Sequence, residues 1–140
     1  MRGALAAVVA AALALGCVDR EPGSPDPRTA VRLSAEQRNA VLVEMRTMVV
    51  SVSSVLGAVA RSDSEGIRSG AHASGTAAAA DPALEKLLPA QWLQLAMATH
   101  HGFDSLAAAA GKGRDTVVAR LGATTANCVS CHAIYRLAVR

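Results

Sequence analysis

Aromatic residues are nearly absent from this sequence, which contains one Trp, one Tyr and one Phe among 140 residues. Alanine takes their place, with 31 copies. Because alanine buries little apolar area, the side chains alone supply a weak hydrophobic drive for the single domain that this length allows. Alanine is also the best helix former. The composition therefore predicts close-packed helices around a large apolar cofactor.

Clustered charge is lacking as well. The formal net charge is +3, and the charged residues, 18% of the chain, are spread without runs. Because nucleic-acid-binding proteins need clustered Lys and Arg, this class of partner is excluded. The sequence shows no alternating strand pattern, no paired carboxylates in an apolar stripe and no nucleophile beside a base. These absences favour a helical protein that is not an enzyme.

The N-terminal segment MRGALAAVVAAALALGC combines a basic start, an unbroken apolar run and small residues. This is a secretory signal pattern, and the run is too short for a permanent membrane span. We therefore predict a signal peptide over residues 1–16 and export to the periplasm. The junction at Cys17 resembles a bacterial lipoprotein signal, in which a lipid on the cysteine anchors the protein to the membrane. Plain cleavage with release is the alternative, although an odd cysteine fits lipidation better.

Residues 17–33 contain three prolines and mixed charges, which predict a flexible tether. Residues 34–140 are predicted to form the folded domain. The capping box SAEQ at 34–37 starts a long helix. The apolar residues of this helix recur at steps of four and three, as in the seam of a helix bundle. They are Val41, Met45, Met48, Val52, Val55 and Val59.

The sequence pattern predicts three further helices. SDSE at 62–65 is a second capping box, and it opens a weaker helix. Pro89 starts the third helix, and Asp115 caps the fourth, whose apolar stripe runs from Val118 through Tyr135. The short connections favour an all-α fold, an antiparallel four-helix bundle.

Cys128, Cys131 and His132 occupy positions i, i+3 and i+4 of the fourth helix, so they lie on one face. C-x-x-C-H is the haem-attachment signature, in which the thiols add to the two vinyl groups and the histidine reaches the iron. A thioredoxin-like pair would need a βαβ unit, and a zinc site would need a fourth ligand. A disulfide within one helical turn would be strained and would leave His132 unexplained. We therefore predict one haem c per chain.

The stretch CVSCHAIYR, close to the C-terminus of a four-helix chain, resembles the cytochrome c′ family, the class II c-type cytochromes. The resemblance covers residues 34–140 and is strongest in the last helix and at EMRTM in the first. It implies a haem inside the bundle, attached through Cys128 and Cys131, with His132 as proximal ligand. It also implies that Arg136, one helical turn beyond, lies against the proximal face. A solvent-exposed cation that favours the helix dipole is the alternative.

The sixth iron position decides the function. A methionine ligand gives a six-coordinate electron carrier, whereas an apolar side chain leaves the iron open to small gases. The resemblance places Met45 there, with Met48 one turn on, although either could be an ordinary core residue. His100 is the rival ligand, or else a histidine at the edge of the core.

The expected function is one-electron transfer with redox partner proteins. Binding or sequestration of nitric oxide or carbon monoxide is the second hypothesis, and a haem-free helical interaction module is the third. Cytochromes of this family often form homodimers through their first helices, and no residue here decides whether this chain does.

Overall fold

The structure, a computed structural model, describes residues 26–79 and 82–140. The predicted signal peptide and Cys17 lie outside these residues. The described part is mostly helical, as the sequence predicts. In chain order the elements are β1 (Thr29–Leu33), α1 (Ala35–Ala60), α2 (Ser64–His72), a 3₁₀ turn (Thr76–Ala78), α3 (Pro82–Glu85), α4 (Ala90–Ala109), α5 (Arg114–Ile134) and β2 (Tyr135–Val139).

The N-terminal cap of α1 is the predicted residue, whereas the cap of α2 is not. The capping box of α1 is confirmed, since Gln37 N donates to Ser34 Oγ at 3.1 Å and Ser34 N donates to Gln37 Oε1 at 3.0 Å. The cap of α2 is Asp63, whose Oδ1 accepts from Gly66 N at 2.8 Å, one residue later than predicted. The shift arises because Ser62, with φ of 55°, forms a left-handed turn after α1.

Helix α5 departs from the sequence pattern at both ends. Its cap is Gly113, with φ of 94°, so Asp115 lies inside the first turn instead of capping it. A carboxylate in that turn still favours the helix dipole. The buried stripe starts at Val117, whereas Val118 is 47% exposed, so the predicted phase is wrong by one residue here. The helix ends at Ile134.

The chain ends meet in a two-stranded parallel sheet, which the sequence pattern does not predict. In the register, Thr29 pairs with Tyr135 and Leu33 pairs with Val139. Residues 29–33 are therefore a strand rather than part of a tether, and the chain after α5 is extended rather than helical. Each strand is too short for its alternation to stand out, and its partner lies at the other end of the sequence.

Helix α4 packs along both α5 and α2, and α2 packs along α1, whereas α1 and α5 touch little. The approach of α4 to α5 needs Gly102, because a Cβ there would lie 2.5 Å from Thr124 Oγ1. Two apolar clusters fill opposite ends of the helical body. The first cluster consists of Val55, Ala58, Val59, Ile67, Ala71, Phe103, Leu106, Ala107, Ala109, Ala110, Val117 and Leu121. The second cluster consists of Val31, Leu33, Val41, Leu84, Trp92, Cys131 and Tyr135.

Helix α1 is, among the described residues, the helix long and apolar enough to cross a membrane, with a mean hydropathy of 1.5 over its most apolar window. Core helices of soluble proteins pass the same test. Helix α1 packs along α2, and several of its apolar side chains are exposed, among them Val49 at 68% and Val50 at 63%. Length and composition alone therefore carry no membrane assignment for α1.

Candidate functional site

A cavity of about 300 Å³ lies between the two apolar clusters, with α1 on one side and α4 and α5 on the other. Volumes from about 300 to 1,000 Å³ are typical of small-molecule and cofactor sites. Most of the lining is apolar. Helix α1 contributes Val41, Glu44, Met45, Met48, Val49 and Val52; α4 contributes Trp92, Leu95, Ala96, Thr99 and Phe103; α5 contributes Thr124, Thr125, Asn127, Cys128, Cys131 and His132.

All three residues of the predicted attachment motif line this cavity from α5. Cys131 is buried, Cys128 is half-buried, and both thiols are free. His132 is exposed at the rim of the cavity. The helical spacing of Cys128, Cys131 and His132 therefore gives two sulfurs and one imidazole on a single wall.

Both thiols are held in the neutral form by their surroundings. Burial raises the pKa of Cys128, against a smaller opposing effect of its hydrogen bond with Thr99. Burial also raises the pKa of Cys131, and the neighbouring Cys128 adds to the increase. A redox or nucleophilic cysteine instead has a lowered pKa. The pair thus lacks the electrostatic character of a thioredoxin-like site.

The wall opposite the cysteines carries the predicted sixth ligand. Met45 and Met48 both line the cavity from α1 and are partly buried. Met45 packs against the second cluster, which contains Cys131, whereas Met48 packs against the first. Met45 therefore lies nearer the cysteine end of the cavity than Met48 does.

Glu44 and His100 form a hydrogen-bonded pair beside the cavity, in which His100 is buried and the Glu44 side chain is 23% exposed. Sequence reasoning missed this pair. His100 Nε2 lies 2.9 Å from Glu44 Oε1, and Nδ1 lies 2.9 Å from the Ser74 carbonyl oxygen. Both ring nitrogens therefore face acceptor oxygens, and the contact with Glu44 is an ion pair when the ring is protonated. The hydrogen bond to Glu44 raises the pKa of His100, and burial opposes the increase. Both ring nitrogens are within hydrogen-bond distance of these oxygens, and His100 is not among the residues that line the cavity.

Arg136 is not in the helix that the sequence pattern predicts for it. It belongs to β2 rather than to a continuation of α5, and it is not among the residues that line the cavity. Its Nε is buried and has no hydrogen-bond partner among the described residues. A buried donor of this kind is unusual in a folded protein and suits an acceptor such as a carboxylate.

The segment before β1 caps the end of α5 that carries the motif. Arg28 Nη1 donates to the His132 carbonyl oxygen at 3.2 Å. That carbonyl lies in the last turn of α5, where helical partners are missing. Asp26 holds the guanidinium at 2.7 Å, and the same hydrogen bonding lowers the pKa of Asp26 to about 2. The N-terminal segment thus fixes the backbone at His132.

Arg28→Ala is expected to loosen the last turn of α5. Loss of one hydrogen bond worth about 1 kcal/mol should make amide hydrogen exchange there roughly fivefold faster. Hydrogen–deuterium exchange read by mass spectrometry measures the change. Arg32→Ala is the matched control, because Arg32 is exposed on β1, shortly after Arg28, and the charge change is equal. Equal exchange rates in the two variants would contradict the capping role.

No family model, curated protein or solved structure matches the chain. Within residues 26–79 and 82–140, no three His, Cys, Asp or Glu side chains converge on one point as metal ligands do. The lining of the cavity has the groups that a haem c would use, with two thiols for the vinyl groups and, at the rim, one imidazole for the iron.

Proposed function

We propose that the protein is an exported c-type cytochrome of the cytochrome c′ type, which transfers single electrons through one covalently attached haem c. The observation that carries the proposal is the placement of Cys128, Cys131 and His132 on one wall of an apolar cavity. In this proposal α1, α2, α4 and α5 form an antiparallel four-helix bundle around the haem.

Each wall of the cavity has a role in the proposal. Cys128 and Cys131 would hold the haem through thioether bonds, and His132 would bind the iron from α5. Met45 would bind the iron from α1. The apolar lining contributed by α4 excludes water and keeps the local dielectric constant low. When bound, the haem supplies the one-electron iron couple, and the protein supplies its position and ligands.

The proposed partners follow from the exposed rim of the cavity. His132 is exposed there, and the neighbouring Val129 is 70% exposed, so a haem edge at this rim would be accessible to a redox protein. The signal pattern over residues 1–16 supports export, so we propose that this exchange takes place in the periplasm. A lipid on Cys17 would hold the protein at the membrane.

Gas binding at a five-coordinate haem is the second candidate function. It is favoured by the apolar character of the α1 wall, where Val41, Val49 and Val52 surround the two methionines. If neither methionine binds the iron, this wall offers an apolar space in which a small neutral ligand can reach it. The protein would then sequester nitric oxide or carbon monoxide.

Carbon monoxide distinguishes the two functions. For the reduced, haem-loaded protein we expect no change in the Soret band on addition of carbon monoxide, because Met45 fills the sixth position. The measurement is an optical spectrum of each oxidation state with and without the gas. A rapid and complete Soret shift would instead support gas binding and contradict ligation by Met45.

A further inference from the structure

Glu44 is the acidic residue among the described residues that line the cavity. Every other lining side chain is apolar or neutral, apart from His132 at the rim. In an apolar environment a carboxylate acts over a longer distance than it does in water, because solvent and salt screen it less. The charge of Glu44 is therefore felt across the cavity.

Of the two members of the pair, Glu44 is the one that lines the cavity. His100 does not line it, and His100 is only 2% exposed behind Glu44. The His100 ring is held from its other side by the Ser74 carbonyl. Ser74 is itself buried, and its hydroxyl is hydrogen-bonded to that of Ser51 at 2.8 Å. The carboxylate is thus fixed at the wall by a buried network on α4 and the segment after α2.

We propose that Glu44, positioned by His100, stabilises the oxidised form of the haem and so sets the balance between the oxidised and reduced protein. The inference rests on the proposed haem site. It assigns to Glu44, which lies outside the attachment motif, an influence on the ratio of oxidised to reduced protein. A carboxylate favours the form of the cofactor with one more positive charge. The imidazolium behind it partly offsets this effect, because it lies farther from the cavity.

The two members of the pair should therefore act in opposite directions. Glu44→Gln removes the negative charge and is expected to raise the ratio of reduced to oxidised protein at a fixed redox poise, by about threefold to tenfold. His100→Gln removes the positive charge behind the carboxylate and should lower that ratio. Spectroscopic redox titration of the haem-loaded variants measures both changes at constant pH and salt.

Glu36→Gln is the matched control, because Glu36 is exposed in the first turn of the same helix and the charge change is equal. The inference is overturned if Glu44→Gln matches this control, or if both variants of the pair shift the ratio in the same direction. If His100→Gln does not fold, the comparison of Glu44→Gln with Glu36→Gln still tests the inference. A wild-type protein without covalent haem is a distinct result, which would defeat the proposed function itself.

Discussion

Replacing both Cys128 and Cys131 by alanine is expected to give a protein with no covalently attached haem. Each thiol forms one thioether bond in the proposed site, so neither bond can form in the double variant. The cavity of about 300 Å³ would then lack its covalently held group. At about 24 cal/mol per Å³ of cavity, the loss of stability is at most about 7 kcal/mol, comparable with the whole stability of a small domain.

Mass spectrometry of the denatured double variant measures covalent haem, and chemical unfolding measures the loss of stability. Single cysteine variants should keep one bond and an intermediate haem content. Ser130→Ala is the control, because Ser130 lies between the cysteines but is exposed on α5, where its hydroxyl donates only to the Ala126 carbonyl. Wild-type haem content in the double variant would disprove attachment at this motif.

Met45→Ala is expected to open the sixth coordination position. The oxidised protein should change from a low-spin to a high-spin spectrum and lose the methionine-to-iron charge-transfer band, and the reduced protein should bind carbon monoxide completely. Loss of a methionine ligand should also favour the oxidised form, because such a ligand raises the reduction potential. Optical spectra of both oxidation states measure these changes.

Met48→Ala provides the matched comparison within the same cavity. Met48 also lines the cavity from α1, but it packs against the first apolar cluster rather than the cluster that contains Cys131. We expect its spectra to match the wild type. If Met48→Ala loses the charge-transfer band instead, the ligand is one helical turn away from the proposed position. A wild-type spectrum in Met45→Ala would show that Met45 does not bind the iron.

The parts of the structure that depend on neighbouring residues could be predicted from the sequence. The spacing of Cys128, Cys131 and His132 places them on one face of a helix, and the structure has all three on the cavity wall. The capping box at Ser34 and Gln37 depends on a similarly short spacing and is also confirmed. Helical periodicity captures such contacts because residues three and four apart are neighbours in any helix.

The parts that depend on distant residues could not be predicted. The pairing of Thr29–Leu33 with Tyr135–Val139 joins the two ends of the chain, and five residues are too few to show a strand period. Because β2 begins at Tyr135, Arg136 is not one helical turn beyond His132, the position from which its role was predicted. The pair of Glu44 and His100 likewise joins α1 to α4. A histidine at the edge of the predicted core in α4 was its only sequence signal.

The most direct test of the proposed function is the mass of the mature wild-type protein, produced where haem attachment operates and measured after denaturation. We expect the mass of the polypeptide, with any lipid on Cys17, plus one haem, together with Soret absorbance that stays with the protein. Denaturation removes a haem held only by ligation and packing, so absorbance that remains must come from bonds through Cys128 and Cys131. A mass equal to the polypeptide and lipid alone, with no Soret band, would contradict the account.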